Sequence, residues 1–204
     1  MSLKDHVYGY ISKKIKDGSI KPNDKINELQ LSNELGVSRT PVREALIQLA
    51  AEGLLNSEPR RGFRVKPLDL EEARELYQLI GNLDAMAAAI SIDNVTKKDI
   101  SEMKELQLQM KKAIYAEDFD QYYELQIAFH DVYLNKCSNK QLIDLLKLLK
   151  MRFIKRGYSD KDHDKLSETF NETNSQHSTI ISLFESKDYK TLEIFLKETH
   201  WSID

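Results

Sequence analysis

Cysteine is all but missing from this 204-residue chain. Cys137 stands alone, so no disulfide can form within the chain, and a reducing, cytoplasmic compartment is the expected setting. Proline occurs only at positions 22, 41, 59 and 67, and beyond Pro67 glycine appears only at 81 and 157. So few breakers after Pro67 argue against a turn-rich β fold there and predict helices throughout. No apolar run approaches the roughly 18 residues of a membrane span. The opening MSLKDHVYGY lacks the apolar core of a secretion signal, and Ser2 with Asp5 has instead the spacing of a capping box. There is no internal repeat and no low-complexity segment.

What is present divides unevenly. Residues 1–67 carry 12 Lys/Arg against 8 Asp/Glu, whereas residues 68–204 carry 18 against 25. A basic front joined to an acidic back fits an anion-binding module attached to something else. In the front part, Val7, Ile11 and Ile15 recur every four residues and predict a helix ending near Gly18. Lys21–Asp24 reads as a turn. Asn27 with Gln30 can cap a short second helix carrying Leu31 and Leu35, and Gly36 can end it in a left-handed conformation.

The next stretch, LGVSRTPVREAL (35–46), begins a third helix from about Arg39 to Glu52. Ser38 is the expected N-cap, with the Thr40 N–H as its partner. Pro41 falls in the first turn, where its missing N–H costs little. Val42, Ala45, Leu46 and Leu49 form the buried face, and Arg39 and Arg43 stand one above the other beside it. Two cations at a helix N-terminus oppose the macrodipole, yet they are well placed to meet an anion. The period then changes: Leu54–Glu58, the turn Pro59–Gly62, and Phe63–Lys66 read as a basic β-hairpin. Three helices and a hairpin make a winged helix-turn-helix. In such a module Ser38, Arg39, Thr40 and Arg43 face the major groove, while Arg60, Arg61 and Gly62 of the wing suit phosphate or minor-groove contact.

LGVSRTPVREALIQLAAEGLL followed by RRGFRV closely resembles the DNA-binding domain of the GntR family of bacterial transcription regulators, and the helical part resembles the FCD domain of its FadR-like subfamily. The fold expected is therefore mainly α: a winged helix-turn-helix over 1–67, then an all-α bundle of about six helices over 68–204. The resemblance implies a homodimer on a palindromic double-stranded operator, released or reset by a small effector. It also implies that Arg39 and Arg43 read bases and that Gly62 marks the wing tip.

Helix starts in the second part are signalled at Asp69 with Glu72, Thr96 with Asp99, Asp118, Asn139 and Asp188, with a loop at 159–165 and a long helix from about Leu166 to Ser186. His130, His177 and His200 each lie on an apolar helix face. A single histidine so placed is usually a hydrogen-bonded core residue; three on different helices of one bundle can converge as ligands. The FCD resemblance assigns these three as ligands of a divalent transition metal, Zn or Ni, imidazole also suiting Fe or Cu. Its usual fourth ligand, an Asp or Asn four residues earlier, is here Gln126, a weaker donor. The arginine common in the first helix of such domains is here Ile80. Arg152, with Arg156 as an alternative, and Tyr123 are the candidate effector contacts; the effector is a small molecule, an organic acid being one candidate, though the missing arginine argues against a typical small organic acid. Competing readings are a sensor for which the ion is itself the signal, and a metal-dependent hydrolase. The hydrolase would need an acid or base aimed at metal-bound water, and there is no HExxH motif.

Overall fold

The computed structural model describes residues 2–16, 19–67, 70–153 and 163–202, including side chains except those of 16, 151–153 and 163–166. It divides into two compact units, one over the first 70 residues and one built from the helices that follow.

In the first unit α1 (Leu3–Lys16) opens with the Ser2–Asp5 capping box, both reciprocal bonds being formed. Gly18, its expected terminator, lies outside the described residues. A turn closed by Asp24 N–H to Lys21 O leads to β1 (Lys25–Ile26). Asn27 then caps α2 (Glu28–Leu35) by accepting from the Leu29 and Gln30 N–H groups. Gly36 ends that helix at φ 63°, and α3 (Arg39–Ala51) begins three residues later. β2 (Leu55–Glu58) and β3 (Gly62–Val65) pair antiparallel, with Ser57 opposite Phe63. Two expectations need correction. The hairpin is a three-stranded sheet in the order β1-β3-β2, because Lys25 and Ile26 add to the free edge of β3 opposite Arg64 and Phe63. Ser38 has the extended conformation of an N-cap but makes no side-chain capping bond; it is exposed, and solvent competes for its hydroxyl.

One core holds this unit together. Val7, Ile11 and Ile15 of α1 meet Val42, Ala45, Leu46 and Leu49 of α3, and Phe63 and Val65 close the cluster from the sheet. Each fully buried large aliphatic contributes about 1.5–3 kcal/mol. The buried face of α3 thus anchors the helix and leaves its opposite face outward.

The second unit comprises α4 (Leu70–Ser91), α5 (Lys97–Tyr115), α6 (Phe119–Leu134), α7 (Lys140–Phe153), α8 (His163–Ser186) and α9 (Tyr189–Phe195). The Thr96–Asp99 capping box, Asp118, Asn139 and Asp188 each accept a backbone N–H in the first turn of their helix. Asp69 lies outside the described residues, as does Gly157, the expected end of α7. α8 begins at His163, inside the stretch expected to be loop. After α9 the chain widens into a π turn, Leu196–His200, closed by the Trp201 N–H on the Leu196 carbonyl. α5 packs on α6 and α8, with Met103, Met110, Tyr122, Phe129, Leu146 and Ile180 buried within the unit.

Candidate metal centre and nucleic-acid interface

The π turn has a consequence for side-chain direction. An i→i+5 turn inserts an extra residue, so Leu196, His200 and Trp201 are all buried. Gly81 of α4 makes room for it: a Cβ there would lie 3.0 Å from Trp201 Cβ and 3.4 Å from the Leu196 carbonyl oxygen. His200 thereby reaches His130 on α6 and His177 on α8. One ring nitrogen from each of the three lies within 4.8 Å of the other two, and the residues are only 0–5% exposed. His130 Nε2 and His200 Nε2 are 3.1 Å apart. Tetrahedral coordination at about 2.0–2.1 Å puts ligand nitrogens roughly 3.3 Å apart, so this spacing is close to what such an ion requires.

The outer nitrogens decide the tautomers. His200 Nδ1 lies 3.0 Å from Gln176 Oε1, an acceptor, so the imidazole donates there. His177 Nδ1 faces Asn174 Oδ1 at 3.3 Å, and the Asn174 amide is turned that way because its Nδ2 donates to the Gln107 carbonyl. His130 Nδ1 is 2.6 Å from the Tyr133 hydroxyl. That hydroxyl has one proton, which it donates to Asp84 Oδ2 at 2.7 Å, so it must accept from His130. All three rings therefore carry Nδ1–H and present a bare Nε2 lone pair to the centre. His177 Nε2 is buried with no partner among the described residues. Lone pairs turned on one another repel unless a cation lies between them, and outer N–H groups held by acceptors are the usual support of ligating histidines. The donor set fits a divalent transition ion.

Electrostatics point the same way. Burial pushes His177 and His200 well below the ordinary histidine range, and the neighbouring imidazoles add to it. Burial and then Lys150 lower His130, against the opposing pull of Asp84. The rings are neutral at neutral pH, the form that binds metal. The 3.2 Å contact from His130 Nδ1 to Asp84 is thus a neutral N–H near a carboxylate rather than an ion pair. Burial alone would raise Asp84, but Lys150 at 3.3 Å, His130 and the Tyr133 hydroxyl outweigh it and hold the carboxyl far below its usual value.

The remaining candidates are placed as follows. Gln126 is half-buried one turn before His130 on α6. Tyr123 is buried edge-on to Tyr122 and Phe170, with ring centroids at 5.8 and 5.4 Å. Arg152 belongs to the last turn of α7, with its side chain outside the description, and Arg156 lies outside the described residues. Ile80 is fully buried in the core. Sequence reasoning overlooked Asp84, Lys150 and Trp201. The available signal was an acid on the buried face of α4, four residues after Ile80 in an otherwise apolar run.

On the first unit, Arg39, Thr40 and Arg43 are exposed on the outer face of α3, with Ile47 continuing the i+4 line. Glu28 and Glu44 share the shallow depression they line. Arg60, in a left-handed conformation at φ 64°, and Arg61 are exposed at the hairpin turn ahead of Gly62 at φ 91°. An uncapped first turn beside two guanidinium groups offers donors to a phosphate or a base edge.

Residues 3–65 match the gntR family of bacterial regulatory proteins, and residues 75–198 match the FCD domain. The chain belongs to the GntR family. Among its relatives, the HTH-type transcriptional regulator YdhC of Bacillus subtilis is 31% identical over 141 residues, covering 69% of this chain and 63% of that protein. The HTH-type transcriptional repressor RspR of Escherichia coli is 26% identical over 192 residues, or 94% of this chain and 82% of that one. The solved structure of Escherichia coli McbR/YncC shares the fold, with a TM-score of 0.81 at 23% identity over 97% of this chain and 93% of the other. These families and relatives are regulators of transcription, and the hydrolase reading falls with that finding.

Proposed function

We propose that this GntR-family chain binds operator DNA through residues 1–67 and controls that binding through residues 68–204, where His130, His177 and His200 hold a divalent transition ion. The observation that carries the metal reading is the set of three buried histidines with a ring nitrogen each within 4.8 Å of the other two, His177 Nε2 having no partner among the described residues. Three neutral imidazoles leave coordination positions open, which a bound Zn or Ni ion would offer to water or to the oxygens of an effector. The amide oxygen of Gln126 is the protein's own candidate for one of them. His200 comes from the C-terminal turn and His130 from α6, so occupancy ties these elements together. A small molecule with an oxygen donor for one of those positions is the effector proposed, Tyr123 and Arg152 remaining the contacts nominated from the sequence.

For the DNA unit, α3 lies in the major groove with Arg39, Thr40 and Arg43 at base edges, supported by Ser38, while Arg60, Arg61 and Gly62 follow the backbone. Reading two half-sites calls for a homodimer. Leu79, Leu83, Met86 and Ile90 form a heptad-like stripe along α4, with Leu79 53% and Met86 50% exposed, a face that suits a second copy.

The decisive measurement is operator affinity of chelator-stripped protein, titrated first with Zn or Ni and then with small organic acids. Metal uptake by the parent and its loss in His177→Ala support the site. A change in affinity on metal alone makes the ion the signal, whereas a change only when an acid follows makes the acid the signal. Absence of uptake at saturating metal, with unaltered melting, would leave the histidines as core residues.

A further inference from the structure

The ligand set lacks a carboxylate of its own: three imidazoles are neutral, and the oxygen one turn before His130 is the amide of Gln126. A fully buried carboxylate nevertheless stands beside it. Asp84 on α4 accepts from the Tyr133 hydroxyl at 2.7 Å and the Trp201 indole N–H at 2.8 Å, both on Oδ2. Lys150 of α7 takes Oδ1 at 3.3 Å. The oxygen turned towards His130 is therefore the one the lysine does not take. α4, α6, α7 and the C-terminal turn all meet at this one side chain.

We infer that Asp84 is the positioning residue of the metal centre, fixing the Nδ1–H tautomer of His130 both through Tyr133 and by direct contact, and strengthening its Nε2 as a donor. This rests on the metal reading above. A carboxylate behind a ligating histidine orients the ring and raises its basicity, and loss of such a partner weakens metal binding about 10–100-fold. Here the carboxylate acts in two ways: Asp84 accepts the only hydroxyl proton of Tyr133, leaving the oxygen lone pair to receive His130 Nδ1–H at 2.6 Å, and its Oδ2 also lies 3.2 Å from that same Nδ1. A merely structural Asp84–Lys150 ion pair would leave the His130 tautomer and the metal affinity unaltered when both partners are replaced together by apolar residues of similar size.

Three full-length variants separate these roles. Asp84→Asn removes the carboxylate charge, Asp84→Leu with Lys150→Met removes both acceptor oxygens together with the lysine they would strand, and Tyr133→Phe removes the relay while leaving the direct Asp84 contact and the ion pair in place. Zinc affinity by competition with a chromophoric chelator should fall about 10–100-fold in the two Asp84 variants and by less in Tyr133→Phe, which keeps the direct contact. In metal-free protein, imidazole ¹⁵N shifts should show His130 protonated on Nδ1 in the parent and shared between the two nitrogens in the double variant. Unchanged affinity and an unchanged His130 tautomer in the double variant would overturn the inference. A parent that takes up no zinc overturns the metal reading instead, and the tautomer measurement then still decides whether Asp84 governs His130.

Discussion

Adding one methyl group at Gly81 sets two effects of opposite sign against each other. In an unobstructed helix interior, Gly→Ala stabilises by about 1 kcal/mol through backbone entropy. At Gly81 the new Cβ would stand 3.0 Å from Trp201 Cβ, 3.4 Å from the Leu196 carbonyl and 3.5 Å from Lys197 Cα. Carbon atoms at optimal separation lie about 3.5–4.0 Å apart, and none of these three neighbours is the tip of a flexible side chain. Relief requires the π turn and α4 to move apart, and overpacking of this kind costs about 1–3 kcal/mol. The net change is therefore a loss of roughly 0–2 kcal/mol. Its location matters more than its size, because the displaced turn carries His200 and Trp201. Thermal melting gives the net stability, and the fluorescence of Trp201, the only tryptophan, reports the turn without any metal present. Gly9 on α1 is the control: nothing lies within 4 Å of a Cβ there, so Gly9→Ala should gain the full helix term. Gly81→Ala should melt no higher than the parent, change the Trp201 emission and weaken zinc uptake at least tenfold. If it melts higher, as Gly9→Ala should, with emission and uptake unchanged, the close packing of the π turn on α4 is refuted.

Three further outcomes are expected. Arg43→Ala should relax base preference at one position per half-site by about 1–3 kcal/mol, while Arg61→Ala should weaken binding to all sequences and flatten its salt dependence; anisotropy titrations on operator and random duplex separate the two. The parent should sediment as a dimer at micromolar concentration and Leu79→Glu combined with Met86→Glu as a monomer, both side chains being exposed enough for the fold to survive. The Thr96 hydroxyl, with the Thr96 N–H and Lys136 and against some burial, lowers Asp99 from 3.8 to about 2. Its contribution is then complete above about pH 4 and lost as pH falls through about 2. Thr96→Ala should cost about 1 kcal/mol at neutral pH and shrink that acid-side loss, as melting curves from pH 7 down to 2 would show.

Much of this protein was legible because its signals are local. Asn27 and Gly36 bracket α2, and Thr96 with Asp99 starts α5, through bonds spanning only a few residues. The arginines of α3 face outward because the same helix must bury Val42, Ala45, Leu46 and Leu49, a pattern visible at i, i+3 and i+4. His130, His177 and His200 could be nominated in the same way, each from its own apolar stripe. Their convergence could not, since it depends on a π turn whose room is made at Gly81, more than a hundred residues earlier. β1 was missed because two residues have no period, and they become a strand only by adding to the edge of β3. Asp84 is the clearest case. Its Tyr133, Lys150 and Trp201 partners lie 49, 66 and 117 residues away, so along the sequence it is only a charge in an apolar helix. Tertiary packing alone gives that buried charge its lysine and places its other oxygen behind the histidine.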